Sequence, residues 1–155
     1  MRLHLYTLPS HDSLEMLNQT LFLGVDGIVF VVDSRAFALP ENERQFARLT
    51  HWISRQGRRL EDVPVLFQFN HRDAADALPI RALRLRFTRT GTSPRSGVSA
   101  LSAPFVDGVE AVAVQDVGVL ETIDAVADAI LATMASPGIA GARPTITDYR
   151  PQGPT

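Results

Sequence analysis

Two short polar clusters carry most of the chemistry this sequence can offer. Asp33-Ser34 closes the apolar run Ile28-Val29-Phe30-Val31-Val32, and Asn70-His71-Arg72-Asp73 closes Val65-Leu66-Phe67-Gln68-Phe69. A carboxylate or amide placed just after a buried strand lies at the strand's carboxyl end, where open α/β sheets hold their ligands. Asn and Asp in such loops also bond back to main-chain groups and fix the turn, so the pattern serves structure as readily as recognition. Other chemistries find no support. The chain has no cysteine, hence no thiolate nucleophile, thiolate metal site or disulfide. His4, His11, His51 and His71 make neither an HxxxH nor an HExxH pattern, and no metal centre is expected. No Ser/His/Asp order, paired carboxylates or dinucleotide-binding glycine pattern stands out.

The elements that must position these clusters follow from periodicity. Ile28 to Val32 is short, β-branched and ended by an acid, which reads as a strand buried on both faces within a parallel sheet. Arg2 to Thr7 alternates polar and apolar residues and reads as a half-buried strand. Asp12 with Glu15 is a capping-box start for a helix whose Leu14, Leu17 and Leu21 share a face, stopped at Gly24. Pro40, Glu41 and Glu43 suit the first turn of a helix over 40–56, with Phe46, Leu49 and Ile53 as its buried stripe. Arg55, Arg58 and Arg59 around Gly57 read as a solvated helix end. A strand over 64–69 tolerates Pro64 at its start. A short helix runs from Pro79 towards Phe87. Residues 88–108 are rich in Ser, Thr, Gly and Pro and read as a long loop. A fourth strand is expected over 109–114. The last helix, over 119–134, buries Val119, Ile123, Val126, Ile130 and Met134. Residues 136–155 form a Pro/Gly-rich tail. The order predicts one α/β domain over 1–135, a mostly parallel sheet with helices on both faces.

Composition narrows the partners. The 155 residues are 45% hydrophobic with a net charge of −2, enough for one core and without the basic field that nucleic acid or an anionic membrane attracts. No run approaches the roughly 20 apolar residues of a membrane span. With no signal-peptide pattern, a cytoplasmic location is expected.

The order of pieces resembles the bacterial MglA-like small GTPases of the Ras superfamily, which set cell polarity and gliding motility. The residues that carry the resemblance are Leu5-Tyr6-Thr7-Leu8-Pro9, Gly24 to Ser34, Val65 to Asn70, Glu110 to Val114 and Gly118-Val119-Leu120-Glu121-Thr122. It covers about residues 2–134 without the loop 88–108, and it implies a truncated P-loop NTPase fold. In that family an Asn-Lys-x-Asp loop reads guanine. The aspartate accepts hydrogen bonds from guanine N1 and N2, and the asparagine ties loops together. By resemblance, Asn70 and Asp73 are nucleotide-binding residues, and Ala113 matches the alanine whose amide contacts the guanine oxygen. His71 replaces the lysine.

The departures shape the expected function. A GxxxxGKS/T loop, its helix and the first switch are not found, and the chain starts at what would be the strand before the second switch. That switch, Thr-x-Pro-Gly-Gln in the family, reads Thr7-Leu8-Pro9-Ser10-His11. Ser10 and His11 thus stand where the phosphate-contacting glycine and water-positioning glutamine would be, and Thr7 to His11 becomes a switch-like contact loop. The resemblance implies a non-catalytic, pseudo-GTPase interaction module in polarity, gliding motility or related signalling. The alternative is an MglA-type GTPase whose phosphate-binding part is missing from this chain or supplied by another polypeptide, and GTP or GDP with Mg would bind only where that part is supplied. A Roadblock-type regulator, another polarity protein or a second copy is the implied partner. One geometric consequence follows from strand spacing. Without the family's first strand, Arg2–Thr7 and Ile28–Asp33 would lie about 10 Å apart with unpaired backbones. Direct pairing of the two is the simplest expected remedy, a strand donated by a partner the next, and filling by the proline-bearing tail the least suitable.

Overall fold

The two apolar runs are rich in β-branched and aromatic residues, which suit a pleated, covered surface, and both form strands. The computed structural model describes residues 2–8, 22, 24–90 and 105–135. Within them lie β1 (Ile28–Asp33), β2 (Val65–Asn70) and β3 (Phe105–Glu110). They pair in parallel in the order β1-β2-β3. Phe30 stands beside Phe67, and Val32 beside Phe69. The register of β2 with β3 slips by one residue between Val106 and Val109, at Gly108. A Cβ there would press into the Phe69 ring, so glycine lets the bulge close over that ring.

Among the described residues three α-helices cover the sheet: α1 (Leu39–Arg55), α2 (Ile80–Thr90) and α3 (Val119–Ala135). Pro40 sits in the first turn of α1 with Glu41, while Arg55 lies in the last, as the helix dipole favours. Side chains alternate across a strand, so Ile28, Phe30, Val32, Val65, Phe67 and Phe69 share one face. They meet Phe46, Leu49 and Ile53 of α1 and Leu83 and Phe87 of α2 in one buried cluster. Phe30 lies edge-on to Phe46 at 5.2 Å between centroids, and Phe67 stacks on Phe87 at 5.5 Å. The opposite face takes α3. Gly27 makes that approach possible, because a Cβ would stand 2.7 Å from Ile130 Cγ1. Val31, on this second face, is 52% exposed, so β1 is not buried on both faces as expected.

The outer edge of β1 has no strand beside it among the described residues. The amides of Ile28 and Ser34 donate to the Pro64 and Asn70 carbonyls of the β2 side. By alternation Val29, Val31 and Asp33 turn their backbone groups outward. Asn42 of α1 closes the last of these positions. Its Oδ1 accepts from Asp33 N–H at 3.2 Å, and its Nδ2 donates to Asp33 C=O at 2.8 Å. A side-chain amide thus occupies the place of a strand's peptide group.

Several expectations change. Arg2–Thr7 is not a strand and does not pair with β1; residues 2–8 are exposed and irregular. Alternation alone does not form a strand without a neighbour for its backbone groups. The fourth expected strand, 109–114, is displaced: β3 ends at Glu110, and Ala113–Gln115 is a 3-10 turn. The left-handed Asp116 and Gly118, at φ +58° and +76°, bend the chain there, while the Val112 and Val117 backbones bond across the turn. Residues 88–90 and 105–108, expected within a long loop, belong to α2 and β3 instead, and residues 91–104 of that expected loop lie outside the described residues. Met134 is 55% exposed rather than buried. Arg58 is no bare solvated end, since its Nη1 donates to Val25 C=O at 2.9 Å. Of the expected helix over 12–23 only Phe22 is among the described residues, and the tail 136–155 lies outside them.

Candidate functional site

The carboxyl ends of three parallel strands bring both polar clusters to one edge of the sheet. At the end of β1, Asp33 is held by the residue two positions on. Arg35 Nε donates to Asp33 Oδ1 at 2.9 Å and Nη2 to Oδ2 at 2.6 Å, while the Arg35 amide donates to Oδ1 at 3.1 Å. The side-chain bonds from Arg35 hold the Asp33 carboxyl below its ordinary value; burial opposes this, and the Arg35 amide adds to it. The same guanidinium lies 4.8 Å over the Phe37 ring, an aromatic side chain left 69% exposed. Ser34 is buried, and its Oγ has no hydrogen-bond partner among the described residues. Its main chain is engaged: the amide donates to Asn70 C=O, and its carbonyl accepts from Leu78 N–H at 2.8 Å.

At the end of β2 the chain turns sharply. His71 adopts φ +58°, a left-handed conformation uncommon for a residue with a Cβ. The amide of Ala74 donates to His71 C=O at 3.2 Å, so His71–Ala74 closes as a turn with Asp73 exposed inside it. Asn70 reaches sideways, its Oδ1 accepting from Ala113 N–H at 3.0 Å across 43 residues of sequence. This bond ties the loop after β2 to the 3-10 turn after β3. Arg72 adds further ties. Its amide donates to Ala111 C=O at 3.2 Å, its Nη1 to Leu78 C=O at 2.7 Å and its Nε to Glu110 Oε2 at 3.2 Å.

The structure therefore brings Asn70, Asp73 and Ala113 to one place. It also shows the Ala113 amide donated to Asn70. Thr7 is exposed and off the sheet, and Ser10 and His11 lie outside the described residues. Sequence reasoning did not single out Arg72, Asn42 or the Asp33–Arg35 pair. Asn42 was readable, because it falls four residues before Phe46 on the same helical stripe. Among the described residues no group of three His, Asp or Glu could hold a metal ion, and no helix is long and apolar enough to cross a membrane.

A parallel sheet with helices on both faces, and an Asn-x-x-Asp turn at its carboxyl edge tied to the turn after the next strand, is consistent with a small-GTPase-like α/β fold. The chain is related to the MglA-like small GTPases. The relative that shows this is the mutual gliding-motility protein MglA of Myxococcus xanthus (strain DK1622), 30% identical over 137 residues, which are 88% of this chain and 63% of that protein. The chain thus spans less than two thirds of the length of the curated relative it matches. No family model matches it.

Proposed function

We propose that the chain is a GTPase-like interaction module in gliding motility, cell polarity or a related signalling process, which retains the guanine-reading end of an MglA-type fold and does not itself hydrolyse GTP. One observation carries the reading: the bond from Ala113 N–H to Asn70 Oδ1 joins two loops and leaves Asp73 exposed beside them. An aspartate so placed can accept from guanine N1–H and N2–H, a pair of donors that adenine lacks. The 155 residues contain no GxxxxGKS/T stretch, so they do not supply the amides, lysine and metal-binding hydroxyl that grip a triphosphate. The relative's name supports motility as the setting. The expected partner is a Roadblock-type regulator, another polarity protein or a second copy, met through the exposed segment that contains Thr7. A second reading, in which a separate polypeptide supplies the phosphate-binding part of a working GTPase, is favoured by the outer edge of β1, which has no strand beside it among the described residues.

The test is to titrate the purified chain with GMP and AMP, followed by NMR, and to assay GTP turnover. Guanine should be preferred weakly, the preference should vanish in Asp73→Ala, and turnover should stay at background. Turnover well above background, abolished by Asp73→Ala, would overturn the non-catalytic reading in favour of the second.

A further inference from the structure

We propose that Arg72 is the positioning residue of the base-reading loop: it fastens the Asn70–Asp73 turn both to the end of β3 and to the lead-in of α2, so that Asp73 and Ala113 keep a fixed separation. The inference rests on the reading of Asp73 as the guanine acceptor. Asp73 is exposed in a four-residue turn, and an exposed carboxylate discriminates between bases only if its backbone is held still. His71, just before, sits in the left-handed region at φ +58°, which the surrounding bonds must stabilise.

Arg72 supplies those bonds. Its amide takes the Ala111 carbonyl, one residue past β3. Its guanidinium, on a side chain only 20% exposed, divides between Leu78 C=O and the Glu110 carboxylate. The two acceptors lie on different segments, one entering α2 and one ending β3. A planar fork with several donors can serve both at once, whereas an ammonium on a flexible stem cannot hold both geometries. Asn70 joins the same two loops from the other side through Ala113. The loops are thereby fixed at two points, at Asn70 and at Arg72, on either side of His71.

The test compares wild type, Arg72→Ala and Arg72→Lys in GMP and AMP titrations, with thermal melts to confirm folding. Loosening the turn should remove most of the guanine-over-adenine preference in Arg72→Ala. Arg72→Lys, which keeps the charge, should fold like wild type yet lose part of the preference. A staple with a merely structural role would lower the melting temperature and leave the preference of the folded molecules alone, and an unchanged preference in both variants overturns the proposal. Amide hydrogen exchange separates this from failure of the guanine reading. If wild type shows no preference for guanine, the reading of Asp73 fails, and Arg72 is judged on the Ala113 amide. That amide should exchange at least about tenfold faster in Arg72→Ala while Val32 in the core stays protected. Unchanged exchange at Ala113 overturns the proposal.

Discussion

The two faces of the sheet are built differently. Under α1 and α2, Phe30, Phe46, Phe67 and Phe87 meet ring to ring, each centroid less than 6 Å from its neighbours. Under α3 the contact is made at Gly27, Val126 and Ile130, and Val31 stays half exposed. Aromatic pairs add roughly 0.5–1.5 kcal/mol each beyond the area they bury, so the first face holds most of the stability. The polar edge hangs between the faces, on the ends of β1, β2 and β3. A substitution on the aromatic face therefore tests whether the chain folds, whereas one at the polar edge tests what the folded chain can do.

The sharpest way to break this contrast is a pair of truncations. Phe46 is fully buried among three other phenylalanines, and Phe46→Ala should cost about 3–5 kcal/mol through lost transfer energy and a cavity. Val31→Ala removes a side chain that is 52% exposed and should cost less than about 1 kcal/mol. Urea unfolding of both variants measures the difference. Equal losses would mean that the α3 face is as tightly built as the aromatic one.

A middle effect belongs to Asn42, which stands where the aromatic stripe of α1 meets the open edge of β1. Its side chain satisfies both backbone groups of Asp33. Asn42→Ala leaves those two groups to find water at a partly buried position, at a cost of about 1–3 kcal/mol. A loss under about 0.5 kcal/mol in the same unfolding assay would show that water replaces the amide and that the edge needs no substitute strand.

What the sequence made legible divides along similar lines. β1, β2, α1 and α3 were readable because each is a local pattern with a clear period, and the Phe46, Leu49 and Ile53 stripe is buried as expected. Arg2–Thr7 has the alternation of a strand but none of the partners, and partners are not written in a segment's own residues. The sequence pattern places β3 too far along the chain. Val112 and Val114 extend its apolar run, while the bend at Asp116 and Gly118 depends on positive φ at a residue other than glycine as well. At the site, family resemblance pointed to Asn70, Asp73 and Ala113. The 43-residue reach of Asn70 to Ala113 and the two-way fork of Arg72 are long-range geometry that spacing does not encode.

The smallest effect lies at the end of β1, where Arg35 holds Asp33. The Asp33 carboxyl is kept below its ordinary value of 3.8, chiefly by the side-chain bonds from Arg35. The sign follows from proton linkage. The folded chain favours ionised Asp33, so this pair contributes its full stability above about pH 4, where the unfolded carboxyl is also ionised. The contribution is lost as the pH falls from there through the lower native value. Both side chains are partly open to solvent, at 35% and 26%, and water screens the pair, so the contribution is modest. Arg35→Ala should therefore be slightly less stable than wild type at pH 6. The gap between the two urea midpoints should narrow as the pH is lowered from 5 towards 3. A gap that stays constant over that range would assign the role of Arg35 to its packing over Phe37 rather than to its hold on the carboxylate.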